Sequence, residues 1–172
     1  MNLTSTRFGT FEDQPVTLYT LTNDRGLTLA LMDYGATIVR LLAPDRTGRT
    51  GDIALGFDTF EKYLDPANPY LGCTVGRFAN RLAHGRFTLE GQSYQLAVNN
   101  GPNHLHGGAR GFDKHLWTGQ ASQGSDRLAV KFARRSPDGE ENYPGNLDVS
   151  VTFTLTNDNA VILDYTAVTD QP

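Results

Sequence analysis

The sequence predicts an all-β protein, an antiparallel β-sandwich or barrel, and three observations carry that expectation. Period-two alternation of apolar and polar residues recurs along the chain; Gly, Asn, Asp or Pro bounds each alternating run; and only one short segment has helical spacing. Strands joined by such short turns pair antiparallel, and a fold with many short strands and one helical turn is not built from alternating βαβ units.

The elements follow in chain order. Val16 to Leu21 and Leu27 to Met32 flank Asn23-Asp24-Arg25-Gly26, a turn-bounded pair that reads as a hairpin. A third strand, Ala36 to Leu42, follows Gly35, and a short one is expected at Asp52 to Leu55. Asp58-Thr59-Phe60-Glu61 has the spacing of a capping box, with Phe60, Tyr63 and Leu64 forming one apolar face until Pro66 ends the turn. Arg86 to Leu89, Ser93 to Leu96 and Leu128 to Ala133 are further short strands. Alternation is clearest last: Leu147, Val149, Val151, Phe153 and Leu155 interleave with Asp148, Ser150, Thr152, Thr154 and Thr156, a strand with one buried face. Asn157-Asp158-Asn159 tolerates left-handed turn geometry before Val161, Leu163, Tyr165 and Ala167 alternate again, closing a second hairpin.

Composition narrows the function classes. A chain of 172 residues fits one domain, or part of one, with a sizeable core. Its 15 Lys and Arg against 19 Asp and Glu are scattered, leaving no basic stripe to neutralise a phosphate backbone, so nucleic acid is not an expected partner. The single cysteine, Cys73, excludes an intrachain disulfide and suits a reducing compartment. Neither a secretory leader nor a run of ~20 apolar residues is present, so no membrane partner is expected and the cytoplasm is the expected location.

From about Leu71 to Trp117 the alternation breaks, and Gly, Asn, Arg and His crowd together beyond what strand pairing requires. His104 and His106 lie two residues apart, so on an extended strand both would point to one face. Such a pair can bind a metal, but it needs a third ligand, and neither His84, His115 nor any carboxylate stands at ligand spacing; no metal is expected. The plainer reading is that one or both imidazoles satisfy loop carbonyls. Gly107-Gly108 favours contact for His106, because two missing side chains leave room for a backbone or ligand beside it. Asn80-Arg81 offers an amide that donates and accepts and a guanidinium with five donors, a match for vicinal hydroxyls. Against that, Arg77 and Arg81 can equally be surface residues or partners of acidic loops. Phe112, Trp117 and Tyr143 can stack on a pyranose ring or simply fill the core. Asp138-Gly139-Glu140-Glu141, set among Pro137, Pro144 and Gly145, reads as a solvated turn between two strands rather than a catalytic cluster.

These residues fall within four motifs that resemble those of aldose 1-epimerases, in that family's order and spacing: G-R-F-A-N-R at Gly76 to Arg81, N-G-P-N-H-L-H-G-G at Asn100 to Gly108, G-F-D-K-H-L-W at Gly111 to Trp117, and S-P-D-G-E-E-N-Y-P-G at Ser136 to Gly145. The resemblance runs from near the start of the chain to its last residue. It implies a β-sandwich of the galactose mutarotase type, with residues 1–172 as the N-terminal part of one domain. It implies a free hexose such as galactose or glucose as the small-molecule substrate, no cofactor, and an exchange of anomers by opening and reclosing the hemiacetal. Asn80, Arg81 and His106 would hold the sugar, His104 would join them, and His106 would take part in catalysis. In the family the acid histidine and base glutamate belong to the C-terminal half, beyond Pro172 here. The expectation is therefore a fragment that lacks mutarotase activity alone and self-associates through unpaired strand edges. A non-catalytic carbohydrate-binding sandwich, a hexose-6-phosphate epimerase, which would need extra basic residues, and a cupin-like metal enzyme built on His104 and His106 are the alternatives.

Overall fold

A computed structural model describes residues 1–172. The first sheet is a meander of five antiparallel strands, β1 (Asn2–Phe11), β2 (Gln14–Thr22), β3 (Thr28–Met32), β4 (Thr37–Pro44) and β5 (Thr50–Asp52), neighbours in sequence being neighbours in space. Two small ladders follow: β6 (Arg81–Leu82) pairs with β9 (His104–Leu105), and β7 (Arg86–Leu89) pairs with β8 (Gln92–Gln95). The second sheet is again a meander, β10 (Thr118–Gln123), β11 (Arg127–Ser136), β12 (Leu147–Thr156) and β13 (Val161–Thr169).

The core forms where the inward rows of the two sheets meet. Leu21, Leu29 and Leu31 of the first sheet pack with Leu128, Val130 and Phe132 of β11 and with Val151, Phe153 and Leu155 of β12, and Phe112 and Trp117 close one end. Each such fully buried side chain is worth roughly 1.5–3 kcal/mol of transfer free energy. A second cluster, Val16, Ala30, Met32, Tyr34 and Val39, lies on the opposite face of the first sheet under Phe60 and Tyr63. Strand β3 thus faces two cores, Leu29 and Leu31 toward one and Ala30 and Met32 toward the other.

Two local expectations are corrected, and strands appear where none was expected. Asp52 to Leu55 is not a strand: β5 ends at Asp52, and Ile53 and Leu55 lie 68% and 78% exposed, so apolar character there buries nothing. The helical segment is a 3-10 turn, Phe60–Leu64, with no side-chain cap; Asp58 instead pairs with Arg40 at 2.7 Å, and Leu64 points outward while Phe60 and Tyr63 are buried. Strands β1 and β10 were not expected, because their residues alternate weakly and most are exposed. At the other edge of the second sheet, β13 pairs only with β12, and Ile162, Leu163, Tyr165 and Val168 are exposed along it.

Candidate functional site

The β6–β9 ladder brings the two distant motifs together, setting Arg81 opposite Leu105 and Leu82 opposite His104. Where the ladder ends, the backbone turns left-handed on both sides, at Asn80 (φ 67°) and His106 (φ 51°). The two residues are then joined reciprocally: the His106 N–H donates to the Asn80 carbonyl at 3.1 Å, and the Asn80 N–H donates to His106 Nδ1 at 3.1 Å. A third left-handed residue, Tyr70 (φ 62°), lays its ring edge-on against the imidazole with centroids 4.7 Å apart. Left-handed backbone costs a non-glycine residue about 1–2 kcal/mol, so three such residues around one side chain mark a place held by its surroundings.

Glycine is required just after His106. A Cβ on Gly107 would stand 1.6 Å from the Gly76 carbonyl oxygen, and one on Gly108 would stand 2.1 Å from Glu141 Oε2. That carboxylate accepts from the N–H groups of Ala109 at 3.0 Å and Arg110 at 2.7 Å, fastening the loop to the turn between β11 and β12. The glycines therefore let two other segments reach the His106 loop, and the imidazole is left half-buried at its rim.

Three groups at this rim keep donors to spare. Arg81 gives Nε to Asn100 Oδ1 at 2.9 Å and Nη1 to Asn80 Oδ1 at 3.2 Å, leaving Nη2 free; Asn80 Nδ2 and His106 Nε2 have no partner in the chain. Burial holds His106 below the usual histidine range; the charges of Arg81 and Lys114 act in the same sense and that of Asp113 opposes them. The ring is thus neutral near pH 7. What the arrangement can do is bind oxygen atoms with several hydrogen-bond donors at once.

The structure separates His104 from this group. His104 is wholly buried, with Nδ1 2.8 Å from the Ala97 carbonyl and Nε2 2.7 Å from the Tyr143 hydroxyl, so it has no atom open to a ligand. The expectation that His104 and His106 share one face is corrected: strand geometry stops at Leu105, and the left-handed turn at His106 removes the alternation. Phe112, Trp117 and Tyr143 are likewise buried, and the small part of Tyr143 that is open faces a pocket with Phe78 and Phe87, not His106. Arg77 spends its guanidinium on Ser136 Oγ and on the carbonyls of Ser136, Pro137, Pro144 and Gly145, pinning the turn rather than entering the site. The acidic turn is structural, but less solvated than expected. Burial raises the Glu140 carboxyl, and hydrogen bonds from Arg134 and Ser136 outweigh it and bring it below the ordinary range.

A cavity of about 220 Å³ shares Tyr70 as a wall, with Tyr34, Asn68, Cys73, Asp113 and Lys114, and does not include Asn80, Arg81 or His106. Among its polar walls Asp113 Oδ2 bonds Lys114 Nζ at 2.7 Å and Asn68 Nδ2 the Tyr63 carbonyl at 3.2 Å, while Asp113 Oδ1 is buried without a partner, and no row of open donors lines it. Burial pushes the Cys73 thiol up to about 12, which removes it as a nucleophile. The open donors, not this enclosed space, are therefore the candidate site. Sequence reasoning missed Tyr70, which no neighbouring motif signals, and the clamping role of Glu141, whose turn gave no hint of reaching the His106 loop.

Comparison with known proteins accords with these motifs. A family model described as aldose 1-epimerase matches residues 17–172. The galactose mutarotase of Bos taurus is 50% identical over 145 residues, covering 84% of this chain and 41% of that protein. The aldose 1-epimerase of Escherichia coli (strain K12) is 41% identical over 161 residues, covering 94% of this chain and 45% of that protein. A crystal structure of galactose 1-epimerase from Lactobacillus acidophilus NCFM matches with a TM-score of 0.88 at 31% identity, over 99% of this chain and 49% of that one. The chain spans less than half the length of the curated relatives it matches. It belongs to the aldose 1-epimerase family.

Proposed function

We propose that this chain binds a free hexose such as galactose at Asn80, Arg81 and His106, as the sugar-holding face of an aldose 1-epimerase. The observation that carries the reading is the Asn80 and His106 pair, locked together with Arg81 alongside and three donor groups left open. Hydroxyl and hemiacetal oxygens are good partners for such a row. In this reading His104 supports the site from beneath, through Tyr143 and Ala97, and does not touch the sugar.

Anomer exchange also needs a base to take the C1 hydroxyl proton and an acid to protonate the ring oxygen. Of the carboxylates around His106, Glu141 holds two main-chain N–H groups, and Asp113 holds Lys114 through Oδ2. Asp113 Oδ1 is buried without a partner and faces no open surface from which it could reach the C1 hydroxyl of a sugar bound at the donor row. Binding without catalysis is therefore our reading of these 172 residues taken alone, and it favours the carbohydrate-binding alternative for the isolated chain over a complete enzyme. The test is an NMR titration of the ¹⁵N-labelled chain with galactose, together with polarimetry of α-galactose. Saturable shifts at Asn80, Arg81 and His106 with mutarotation at the spontaneous rate are expected. Absence of those shifts overturns the binding assignment, and a clear rate enhancement overturns the claim that the chain alone lacks the proton-transfer groups.

A further inference from the structure

His106 meets a donor where a catalytic base would keep a free lone pair. A main-chain N–H can only donate, so the Asn80 N–H at 3.1 Å from Nδ1 requires a bare nitrogen there. The ring proton of neutral His106 then sits on Nε2, the nitrogen with no partner in the chain. His104 shows the reverse. The Ala97 carbonyl can only accept, so Nδ1 of His104 carries its proton and Nε2 accepts from the Tyr143 hydroxyl. Two histidines separated by one residue are thus set in opposite tautomers, each by a main-chain group.

We propose that His106 acts as a hydrogen-bond donor of fixed tautomer, presenting Nε2–H to a sugar oxygen, and that Asn80 is the positioning residue that fixes it through its main-chain N–H rather than its side chain. The sugar contact rests on the function proposed above; the tautomer does not. Protonation of His106 would put an N–H at Nδ1 against the Asn80 N–H and break that bond. Nor can Nδ1 relay a proton through the ring, since the main-chain N–H facing it can neither take up a proton nor give up its own. The imidazole therefore polarises an oxygen without taking its proton. The charged groups around it divide: Arg81 and Lys114 disfavour a charged ring, Asp113 favours it, and burial disfavours it most. Tyr70 stacks edge-on and keeps the ring plane in place.

Long-range ¹H–¹⁵N correlation of the ring nitrogens tests this directly, with the His106 signals assigned by their loss in His106→Gln. The expected pattern near neutral pH is a bare Nδ1 and a protonated Nε2 for His106, and the opposite for His104 as an internal reference. A protonated Nδ1 on His106, or averaged shifts from interchanging tautomers, would overturn the proposal. Asn80→Gly keeps both the N–H and the left-handed backbone, so the tautomer should persist; averaging in this variant would assign the control to the side chain instead. Glutamine at position 106 retains a donor in place of Nε2–H and cannot titrate, so His106→Gln should bind galactose within about threefold of the unmodified chain, while His106→Ala should lose about tenfold. Equal weakening by both defeats the donor role. An unmodified chain with the fixed tautomer and no galactose binding removes the sugar reading and leaves the tautomer standing; binding with interchanging tautomers does the reverse.

Discussion

In β11 and β12 a side chain's surroundings follow from its parity: Val130, Phe132, Val151 and Phe153 are buried between the sheets while Lys131, Thr152 and Thr154 lie nearer solvent. Around His106 parity predicts nothing. There, residues 104 and 106 have opposite environments, and position is set by left-handed backbone and by hydrogen bonds to main-chain groups from other loops. The first region gains its stability from apolar area, which tolerates exchange of similar side chains. The second depends on which atoms the backbone can reach, and tolerates very little.

The sharpest way to break that contrast is in the sheets. Phe153→Ala should cost about 3–5 kcal/mol, read from denaturant midpoints, whereas Thr154→Ala next to it should cost well under about 1 kcal/mol. Similar losses from the two would mean that parity does not govern burial there. A somewhat smaller effect is expected from the loops. Gly107→Ala places a Cβ against the Gly76 carbonyl in a left-handed residue (φ 91°) and should cost about 3 kcal/mol. Gly139→Ala, also left-handed (φ 81°) but with nothing within 4 Å, should cost only about 1 kcal/mol. Were the two glycines to respond alike, the His106 loop would be freer than its contacts imply.

The smallest effect is electrostatic. Burial, with the charge of Arg134, lowers the pKa of His115 below its ordinary value of 6.5, so the unfolded chain takes up a proton at higher pH than the folded one. Its contribution to stability is therefore complete above about pH 6.5 and is lost as the pH falls through the lower folded value. Glu140 opposes this shift in His115 but does not reverse it. Denaturation midpoints should fall between about pH 7 and pH 5.5, and fall less in His115→Gln. An unchanged slope in that variant would place the sensitivity elsewhere, His106 being the next group to examine.

The expected strands that came out in place, β2, β3, β4, β7, β8, β11, β12 and β13, each carry an apolar row; in most of them it is at least partly buried, whereas in the edge strand β13 it is largely exposed, so alternation there marks a strand without marking burial. Strand β10, T-G-Q-A-S-Q, pairs fully with β11 yet buries almost nothing, so its hydrogen bonds left no trace in composition. The candidate site was legible as a list of residues, because Asn80, Arg81 and His106 sit in motifs rich in glycine and asparagine. Its geometry was not. Reading His104 and His106 as one face assumed a strand that runs through both, and the left-handed turn that ends it depends on Asn80, distant in sequence. Tyr70 belongs to the same three-dimensional constraint and has no local mark at all.

Strand β3 gives these regions a common fate. It contributes to both hydrophobic clusters, and the turn that follows it is tied to the site segment: the Gly35 N–H donates to the His115 carbonyl at 2.9 Å, the Trp117 N–H to that of Asp33 at 2.9 Å, and the Thr74 N–H to that of Gly35 at 2.9 Å. Loosening either cluster withdraws support from the other and from the segment that carries Tyr70 and His106. Melting should then be a single cooperative event, with no state in which the sandwich persists and the imidazole is adrift. A histidine at an open rim thereby inherits the rigidity of the most enclosed strand in the molecule.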